Sequence, residues 1–245
     1  MKSVFMISGD VGTRLIKWLV QNHRDDIELV VCREVEAGLI PLLDEHKVPY
    51  MIWGSIKCTE DEILLRIKAA SIQLGFLLWW PEILGTDLLS APRYGFINLH
   101  PSLLPFGRGK HPNFWSIKDG EPFGVSIHLV DKLIDHCPVL VQRQLEISWL
   151  DNGKTTYDNS IKEIASLFKE NYANFGKMVE SQTFKVQDHD RGTFHSSRQL
   201  DEASVIELDR EYRKWETANS CCFCSRANPN FPIRPSPKFW EYPRS

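Results

Sequence analysis

The sequence predicts an α/β fold built on a mostly parallel sheet, and two patterns carry that prediction. Over the first hundred residues, short apolar runs typical of strands buried on both faces alternate with amphipathic stretches. Glycine or proline stands at several of the boundaries between them, where turns are expected. Because strands that alternate with helices join through right-handed crossovers, this pattern indicates consecutive βαβ units.

Five strands are predicted in this first part from their apolar runs, at residues 3–8, 27–31, 49–53, 75–80 and 96–99. Amphipathic helices are predicted between them, after the turn at 9–12 and again at 36–46 and 61–70. The second of these helices contains Pro41, which an α-helix tolerates only in its first turn.

The rhythm changes after residue 110. The pattern predicts a short helix at 112–118, strands at 124–130 and 139–147, and a long helix at 155–178. Further on it weakens to a predicted β-hairpin at 184–194, a helical stretch at 208–215 and a proline-rich tail from residue 228. We therefore expect a main domain at 1–180 and a small C-terminal extension at 181–245.

Composition excludes two classes of partner. The chain has 245 residues and a formal net charge of −3, whereas nucleic-acid-binding domains are usually basic, so we expect no nucleic-acid partner. No apolar run approaches the roughly 20 residues that span a bilayer, so we expect no membrane partner. Gly9 and Asp10 interrupt the apolar N-terminus, which predicts a first strand rather than a signal peptide.

The six cysteines show no spacing typical of a disulfide framework, which predicts reduced thiols and a cytoplasmic location. They are Cys32, Cys58, Cys137, Cys221, Cys222 and Cys224. The cluster at 221–224 lacks a second pair at a zinc-type interval, although His189 and His195 lie upstream of it. We expect no metal site.

The turn after the first predicted strand has two interpretations. Gly9 lies between a strand and a helix, where backbone N–H groups can hold a phosphate, which makes it a candidate substrate-binding residue. The segment does not match the G-x-G-x-x-G pattern, and a glycine at such a turn often serves the turn alone.

The segment most informative about chemistry is 97–110, which reads INLHPSLLPFGRGK. Asn98 and His100 stand two residues apart, so in a strand their side chains point to the same face. An amide can donate to a developing oxyanion, and an imidazole titrates near neutrality. Asp135, in a later loop, could orient the imidazole and raise its pKa. Spacing alone leaves open that all three are turn and loop residues.

Resemblance supports the chemical interpretation. Residues 98–105, NLHPSLLP, resemble the signature of the folate-dependent formyltransferases. Residues 124–131, GVSIHLVD, followed by Ile134 and Asp135, resemble the second motif of that family, which ends in its catalytic aspartate. The resemblance implies a Rossmann-like formyltransferase domain, with N10-formyltetrahydrofolate as formyl donor and an amine as acceptor. It places the catalytic roles on Asn98, His100 and Asp135.

A third segment resembles one subfamily. Residues 108–117, RGKHPNFWSI, are similar to the sugar N-formyltransferases, as are residues 192–195, GTFH. This resemblance implies a nucleotide-linked aminosugar as substrate and a place in bacterial O-antigen or lipopolysaccharide synthesis. The best guess for the acceptor is a dTDP-4-amino-4,6-dideoxyhexose. It makes Arg108, Gly109 and Lys110 candidate substrate-binding residues, whereas Trp115 is expected to pack rather than to stack on a ligand.

The resemblance and the topology together place a folate pocket at the carboxyl ends of the strands. Its predicted walls are the segment after the fourth strand and the loop that carries Asp135. The candidate donor-binding residues are Trp80, Pro81, Leu84, Asp131 and His136. In the implied mechanism Asn98 and His100 stabilise the oxyanion, and Asp135 holds His100 and assists proton movement.

The sequence departs from the family pattern in two places. His136 and Cys137 stand where the family usually has a small residue and then glycine. If that position adopts a positive φ, a cysteine there costs about 1 kcal/mol, and the loop is expected to shift. The tail after residue 210 also departs from the arginine-containing motif of related enzymes.

Other functions remain open at this point. The first is methionyl-tRNA formyltransferase, which the negative net charge and the short segment after residue 180 disfavour. The second is glycinamide ribonucleotide formyltransferase, which is similar in length. A function of another class is an inactive folate- or nucleotide-sugar-binding protein, favoured only by His136 and Cys137. Apolar residues near the C-terminus, among them Phe223 and Trp240, suit either a homodimer interface, which we expect, or a cap over the core.

Overall fold

The computed structural model describes residues 1–55, 58–148, 151–196 and 198–199. Nine strands lie in these ranges: β1 (Ser3–Ile7), β2 (Ile27–Cys32), β3 (Tyr50–Ile52), β4 (Leu74–Leu78), β5 (Phe96–His100), β6 (Arg108–Gly109), β7 (Phe123–Val130), β8 (Val139–Leu145) and β9 (Phe194–His195). The α-helices there are α1 (Gly9–Asn22), α2 (Ile40–Glu45), α3 (Glu60–Ala69), α4 (Thr86–Leu89), α5 (Pro112–Asp119) and α6 (Gly153–Glu180).

Seven of the strands form one sheet in the order β3-β2-β1-β4-β5-β7-β8. The first five pair in parallel, and β7 and β8 add to the edge in antiparallel orientation. The predicted α/β class with a mostly parallel sheet is confirmed. Strand order reverses between β1 and β4, so the crevice where ligands bind in such folds lies at the carboxyl ends of the central strands.

The central strands are buried on both faces, as their unbroken apolar sequences predict. In β1, Phe5 and Ile7 pack with α1 and α6 residues into one core cluster, whereas Val4 and Met6 pack into a second cluster with residues of α3. The close packing reaches the backbone at Gly75 of β4, where a Cβ would lie 2.3 Å from the Phe96 ring. A larger residue there would separate β4 from β5.

The structure shifts two predicted boundaries and confirms the predicted position of Pro41. α1 begins at Gly9, so the predicted turn at 9–12 forms the first turn of the helix instead. Pro41 falls in the first turn of α2, as predicted. β4 ends at Leu78 because Trp79 adopts the left-handed region with φ 66°. Trp79 packs into the larger core cluster and Trp80 into the second cluster.

The hairpin predicted at 184–194 is wrong. Lys185 makes a single antiparallel bridge to Val139 in β8, and β9 pairs in parallel with β6. The sequence pattern identified extended residues correctly but not their partners. These are set by the loop at 107–110, whose N–H groups need acceptors, and Thr193 and His195 supply the carbonyl oxygens.

Several expectations concern the C-terminal region. The predicted helix at 208–215, the cysteines at 221–224 and the apolar tail lie outside the described residues. The three described cysteines, Cys32, Cys58 and Cys137, are buried free thiols. None of the helices in the described ranges combines the length and the apolar character of a bilayer-spanning segment.

Candidate active site

Asn98 and His100 project together from the end of β5. Their neighbours Ile97 and Leu99 point to the opposite face and pack into the larger core cluster, which fixes the strand's orientation. His100 is only 6% exposed, and Asn98 is half-buried. The shared orientation predicted from the two-residue spacing is confirmed by this geometry.

The structure brings Asp135 to the same place. One carboxylate oxygen of Asp135 lies 3.5 Å from His100 Nδ1 and also accepts a hydrogen bond of 2.9 Å from the Gly109 N–H. The loop reaches this position through a left-handed backbone at Asp135, with φ 51°. A residue with a Cβ adopts this region at some cost, so neighbouring contacts must hold it there.

His128 is a functional candidate that sequence reasoning missed. It lies directly opposite Asn98 in the β5–β7 register, and its Nε2 is 3.3 Å from Asn98 Nδ2 and 3.4 Å from the second Asp135 oxygen. Its Nδ1 donates to the Leu129 carbonyl at 2.6 Å. The available signal was alternation, because Ser126 and His128 are the two polar residues on one face of an otherwise apolar strand.

Burial sets the direction of the pKa shift of His100, whereas hydrogen bonds and neighbouring charges set that of Asp135. Burial lowers the pKa of His100 below the usual histidine value, although the charge of Asp135 partly opposes this. For Asp135, burial raises the pKa, but His100, His128 and the Gly109 N–H outweigh it and bring the pKa well below the usual range. His100 Nε2 lies 2.9 Å from the Gly107 carbonyl, which only accepts, so Nε2 carries hydrogen. A neutral His100 therefore presents its basic Nδ1 toward Asp135.

The predicted substrate-binding loop is fixed by β9. The Arg108 N–H donates to the Thr193 carbonyl at 3.1 Å, and the Lys110 N–H donates to the His195 carbonyl at 2.8 Å. Gly109 has φ 89°, and a Cβ there would lie 2.2 Å from the His195 carbonyl oxygen. Gly109 is thus required for close approach of two chain segments, and its N–H is bound to Asp135. The segment at 192–195 therefore contributes to the site.

His136 extends the site toward this segment. Its ring stacks on His189 with centroids 3.5 Å apart, and His189 Nδ1 lies 3.4 Å from Arg108 Nη1. Burial and the neighbouring His136 and Arg108 lower the pKa of His189. Three basic side chains are thereby gathered beside the Asp135 loop.

Trp115 packs against the chain, as expected. It stacks on His195 with centroids 4.1 Å apart and donates through Nε1 to the Lys110 carbonyl. His195 Nε2 lies 3.3 Å from Glu121, and Asp119 completes a group whose ligand-type atoms lie within 4.8 Å of one another. Because Asp119 is already paired with Lys118 at 2.7 Å, we assign this cluster to anchoring β9.

The prediction that Gly9 contacts a phosphate needs correction. Its N–H donates at 2.9 Å to the carboxylate of Glu36, a residue 8% exposed. The same carboxylate accepts from Ser8 Oγ at 3.3 Å and from the Arg33 N–H at 3.1 Å. The Gly9 N–H, expected to meet a phosphate, is therefore bound to the Glu36 carboxylate. This negative charge is stabilised by the positive N-terminal end of α1.

The predicted donor-binding residues lie on two loops. Trp80 and Leu84 are buried in the second core cluster and Pro81 is half-buried, whereas Asp131 is exposed and accepts from the Leu133 N–H at 2.7 Å. Trp80 Nε1 is buried and has no hydrogen-bond partner among the described residues. Both loops also expose large apolar side chains, at Ile83, Leu133 and Ile134. Exposed apolar side chains on these loops suit contact with a flat heterocyclic ligand.

The expected strain at Cys137 is not found. Cys137 does not adopt a positive φ, and the left-handed residue of this loop is Asp135. Cys137 is 8% exposed, and burial together with Asp131 raises the pKa of its thiol to about 12. The side chain is therefore a buried, uncharged thiol. Because Cys137 does not adopt a positive φ, its replacement of the glycine usual in the family carries no backbone penalty.

Comparisons with known proteins agree with this fold and site. The Formyl transferase family model matches residues 1–168. A methionyl-tRNA formyltransferase from Thermotoga maritima is 26% identical over 206 residues, which cover 79% of this chain and 64% of that protein. The chain thus spans less than two thirds of the length of this curated relative.

Solved structures resemble the fold at low identity. A likely sugar N-formyltransferase from Mycobacterium tuberculosis has a TM-score of 0.66 at 18% identity, with 89% of this chain and 87% of that chain covered. An N-formyltransferase from Helicobacter canadensis, in complex with folinic acid and dTDP-3-aminofucose, has a TM-score of 0.67 at 17% identity and covers 87% and 80%. Because the family model matches well over half of the sequence and the fold agrees, this chain belongs to the formyl transferase family.

Proposed function

We propose that this protein transfers a formyl group from N10-formyltetrahydrofolate to the amino group of a nucleotide-linked aminosugar. One observation carries the proposal: Asn98, His100 and Asp135 meet at the end of β5, beside a loop of the sugar-type sequence that β9 holds in place. Family membership supports the reaction type. The sugar-type motif at 108–117 supports the acceptor class.

His100 and Asp135 form the proton-handling part of the site. The acceptor amine attacks the formyl carbon in its neutral form and must lose a proton as the new C–N bond forms, while N10 of the donor takes up a proton as its bond to the formyl carbon breaks. A neutral His100, with its basic Nδ1 facing Asp135, can take up a proton there and form a charge-assisted hydrogen bond to the carboxylate. Asp135 therefore stabilises the imidazolium and fixes the ring's orientation.

Asn98 supplies a neutral donor for the oxyanion that develops on the formyl oxygen. Its Nδ2 lies 3.3 Å from His128 Nε2, so the amide is held by a side chain across the β5–β7 pair rather than left to rotate. His128 is in turn anchored through its Nδ1 to the Leu129 carbonyl. Such preorganisation is what makes an oxyanion donor effective.

N10-formyltetrahydrofolate supplies an activated formyl group at N10. The candidate residues Trp80, Pro81, Leu84, Asp131 and His136 lie on the two loops that we propose as its pocket. Trp80 and Leu84 are committed to the core, so the exposed apolar residues of these loops, Ile83, Leu133 and Ile134, are the better candidates for contact. His136 stacks on His189 and faces the acceptor side instead.

We place the acceptor against Arg108, Lys110 and the two stacked histidines. The two phosphates of a nucleotide diphosphate sugar carry negative charge, which Arg108 and Lys110 can offset, and the stacked histidines offer ring N–H groups as hydrogen-bond donors. We propose a dTDP-4-amino-4,6-dideoxyhexose, used in O-antigen or lipopolysaccharide synthesis in the bacterial cytoplasm. We further propose that residues 1–180 form the catalytic domain, that 181–245 extend it, and that the protein is a homodimer.

A formyl-transfer assay tests the proposal. The purified protein and N10-formyltetrahydrofolate are offered dTDP-, GDP- and UDP-linked aminosugars, with initiator methionyl-tRNA and glycinamide ribonucleotide in parallel, and the release of tetrahydrofolate is followed. Turnover on one aminosugar supports the proposal and names its acceptor. Binding of the donor without turnover on any acceptor would favour an inactive binding protein.

A second candidate is methionyl-tRNA formyltransferase. The sequence relative from Thermotoga maritima carries that name, and this observation favours the alternative directly. Turnover on initiator methionyl-tRNA, with none on the aminosugars, would establish it. The net charge of −3 favours the aminosugar, since binding of tRNA depends on contacts to phosphate.

A further inference from the structure

Gln187 joins the Asp135 loop to a part of the chain beyond the family match at residues 1–168. Its side-chain Nε2 donates to the Asp135 carbonyl at 3.0 Å and to the Cys137 carbonyl at 2.6 Å. The two hydrogens of one amide group thus meet two carbonyl oxygens that flank His136. Gln187 is 6% exposed, so these bonds form away from solvent.

The loop needs such a restraint. Asp135 has φ 51°, a left-handed backbone that residues with a Cβ disfavour, so without restraint the loop would relax toward other conformations. Relaxation would rotate the Asp135 carboxylate away from His100 Nδ1, which it faces at 3.5 Å. A hydrogen-bonded bracket on both sides of His136 prevents that rotation.

The amide oxygen of Gln187 gives an independent argument. Gln187 Oε1 is buried and has no hydrogen-bond partner within the part of the chain that the structure describes. A buried polar atom without a partner destabilises the fold, and such an atom in a native protein calls for an explanation. Use of both N–H donors on the Asp135 loop explains why a glutamine occupies this position despite the unpaired oxygen.

We propose that Gln187 is a positioning residue, which holds the Asp135 loop in the conformation that brings the Asp135 carboxylate to His100. It touches neither substrate nor reacting atoms and acts through Asp135. The proposal deepens the proposed function and rests on it for the activity measurement alone. It also means that a protein truncated after residue 168, where the family match ends, would lack this restraint on Asp135.

Two variants and a matched control test it. Gln187→Leu removes both donors without adding charge, and Gln187→Glu keeps the shape but directs a carboxylate at the two carbonyls. Gln142→Leu is the control, because the Gln142 amide also donates to a loop carbonyl, that of Leu104 at 3.0 Å, but not to the Asp135 loop. Both Gln187 variants should fold, with thermal midpoints below that of the control because two buried carbonyls lose their donors, and should lower kcat about 10- to 100-fold. KM for the formyl donor should change less than about threefold.

A double-mutant cycle separates positioning from general destabilisation. In an Asp135→Asn background, Gln187→Leu should have no further effect on kcat, because the group that it positions is already gone. An additive effect, a kcat within twofold of the wild type, or failure of both variants to fold would each overturn the proposal. The last result would show that Gln187 serves the fold itself.

Titration of His100 by NMR gives a readout that needs no substrate. Asp135 raises the pKa of His100, while His128 and Lys110 lower it. Release of the Asp135 loop in Gln187→Leu should therefore lower the pKa of His100, and Gln142→Leu should leave it unchanged. An unchanged pKa in Gln187→Leu would contradict the proposal even if no acceptor were found. Conversely, a lowered pKa in a protein inactive on every acceptor would support positioning while the proposed function fails.

Discussion

Two buried carboxylates of this fold make the same first contact and serve different ends. Glu36 accepts from the Gly9 N–H at the end of β1, and Asp135 accepts from the Gly109 N–H near the end of β5, each at 2.9 Å. The remaining partners of Glu36 are a hydroxyl and a backbone N–H. Those of Asp135 are the imidazoles of His100 and His128.

The difference between the two sites lies in which partners can change protonation state. The hydroxyl and amide donors around Glu36 keep their hydrogens throughout the working pH range, so that carboxylate caps α1 and does nothing more. The imidazoles around Asp135 gain and lose protons near neutrality. The same anion–glycine contact therefore stabilises a helix at one strand end and equips a proton-handling site at the other.

The largest effect should come from the imidazole and amide of β5. His100→Ala or Asn98→Ala should lower kcat by about 10²-fold or more, because each removes a group that acts in the transition state. His23→Ala is a suitable control, since His23 packs against Tyr172 at the far end of α1. Steady-state formyl transfer measures both. Near-normal turnover in either site variant would show that the chemistry lies elsewhere.

Asp135→Asn should have the next largest effect, about 10- to 100-fold on kcat. Removing the charge that raises the pKa of His100 lets burial lower it further. Activity that depends on neutral His100 is lost as pH falls through that pKa, which lies below the usual value of about 6.5. The acid limb of the kcat profile should therefore move to lower pH in the variant. A shift toward higher pH would contradict the assigned roles.

Glu36→Gln should affect stability rather than rate. The substitution removes the charge at the N-terminus of α1 and forces one of the accepted hydrogen bonds to break, so the free energy of unfolding should fall by about 1–2 kcal/mol. Turnover should stay within about threefold of the wild type. Urea denaturation and steady-state kinetics check the two halves. A large fall in kcat with unchanged stability would give the β1 end a role in substrate binding after all.

The contrast between these two strand ends also bears on what sequence can predict. The alternation of apolar runs and amphipathic stretches predicts the parallel part of the sheet. A strand that is apolar along its whole length must be covered on both faces, and the intervening helices provide that cover. The partners of residues 184–195 were not predictable by the same logic. Their pairing with 108–110 and with Val139 depends on unpaired backbone groups in distant loops, which no local pattern records.

The site divides in the same way. The spacing of Asn98 and His100 predicts a shared face, and motif resemblance predicted the arrival of Asp135. His128 required the register of β5 against β7, which follows from tertiary structure. The hydrogen bond from the Gly9 N–H to Glu36 could not be predicted from local sequence either, since 27 residues separate the two. Side chains on one strand are predictable, whereas contacts between elements are not.

The smallest effect should come from Cys137, where the expectation from family pattern and the geometry disagree. If the position required a positive φ, Cys137→Gly would relieve strain and stabilise the protein. Because Asp135 carries the left-handed backbone instead, glycine here should add unfolded-state entropy and remove a buried thiol, lowering the free energy of unfolding by about 1 kcal/mol. Turnover should change by less than about threefold, since Gln187 still brackets the loop through the Cys137 carbonyl. Chemical denaturation of Cys137→Gly and Cys137→Ala side by side isolates the backbone contribution. A glycine variant more stable than the alanine variant would return the strained position to residue 137.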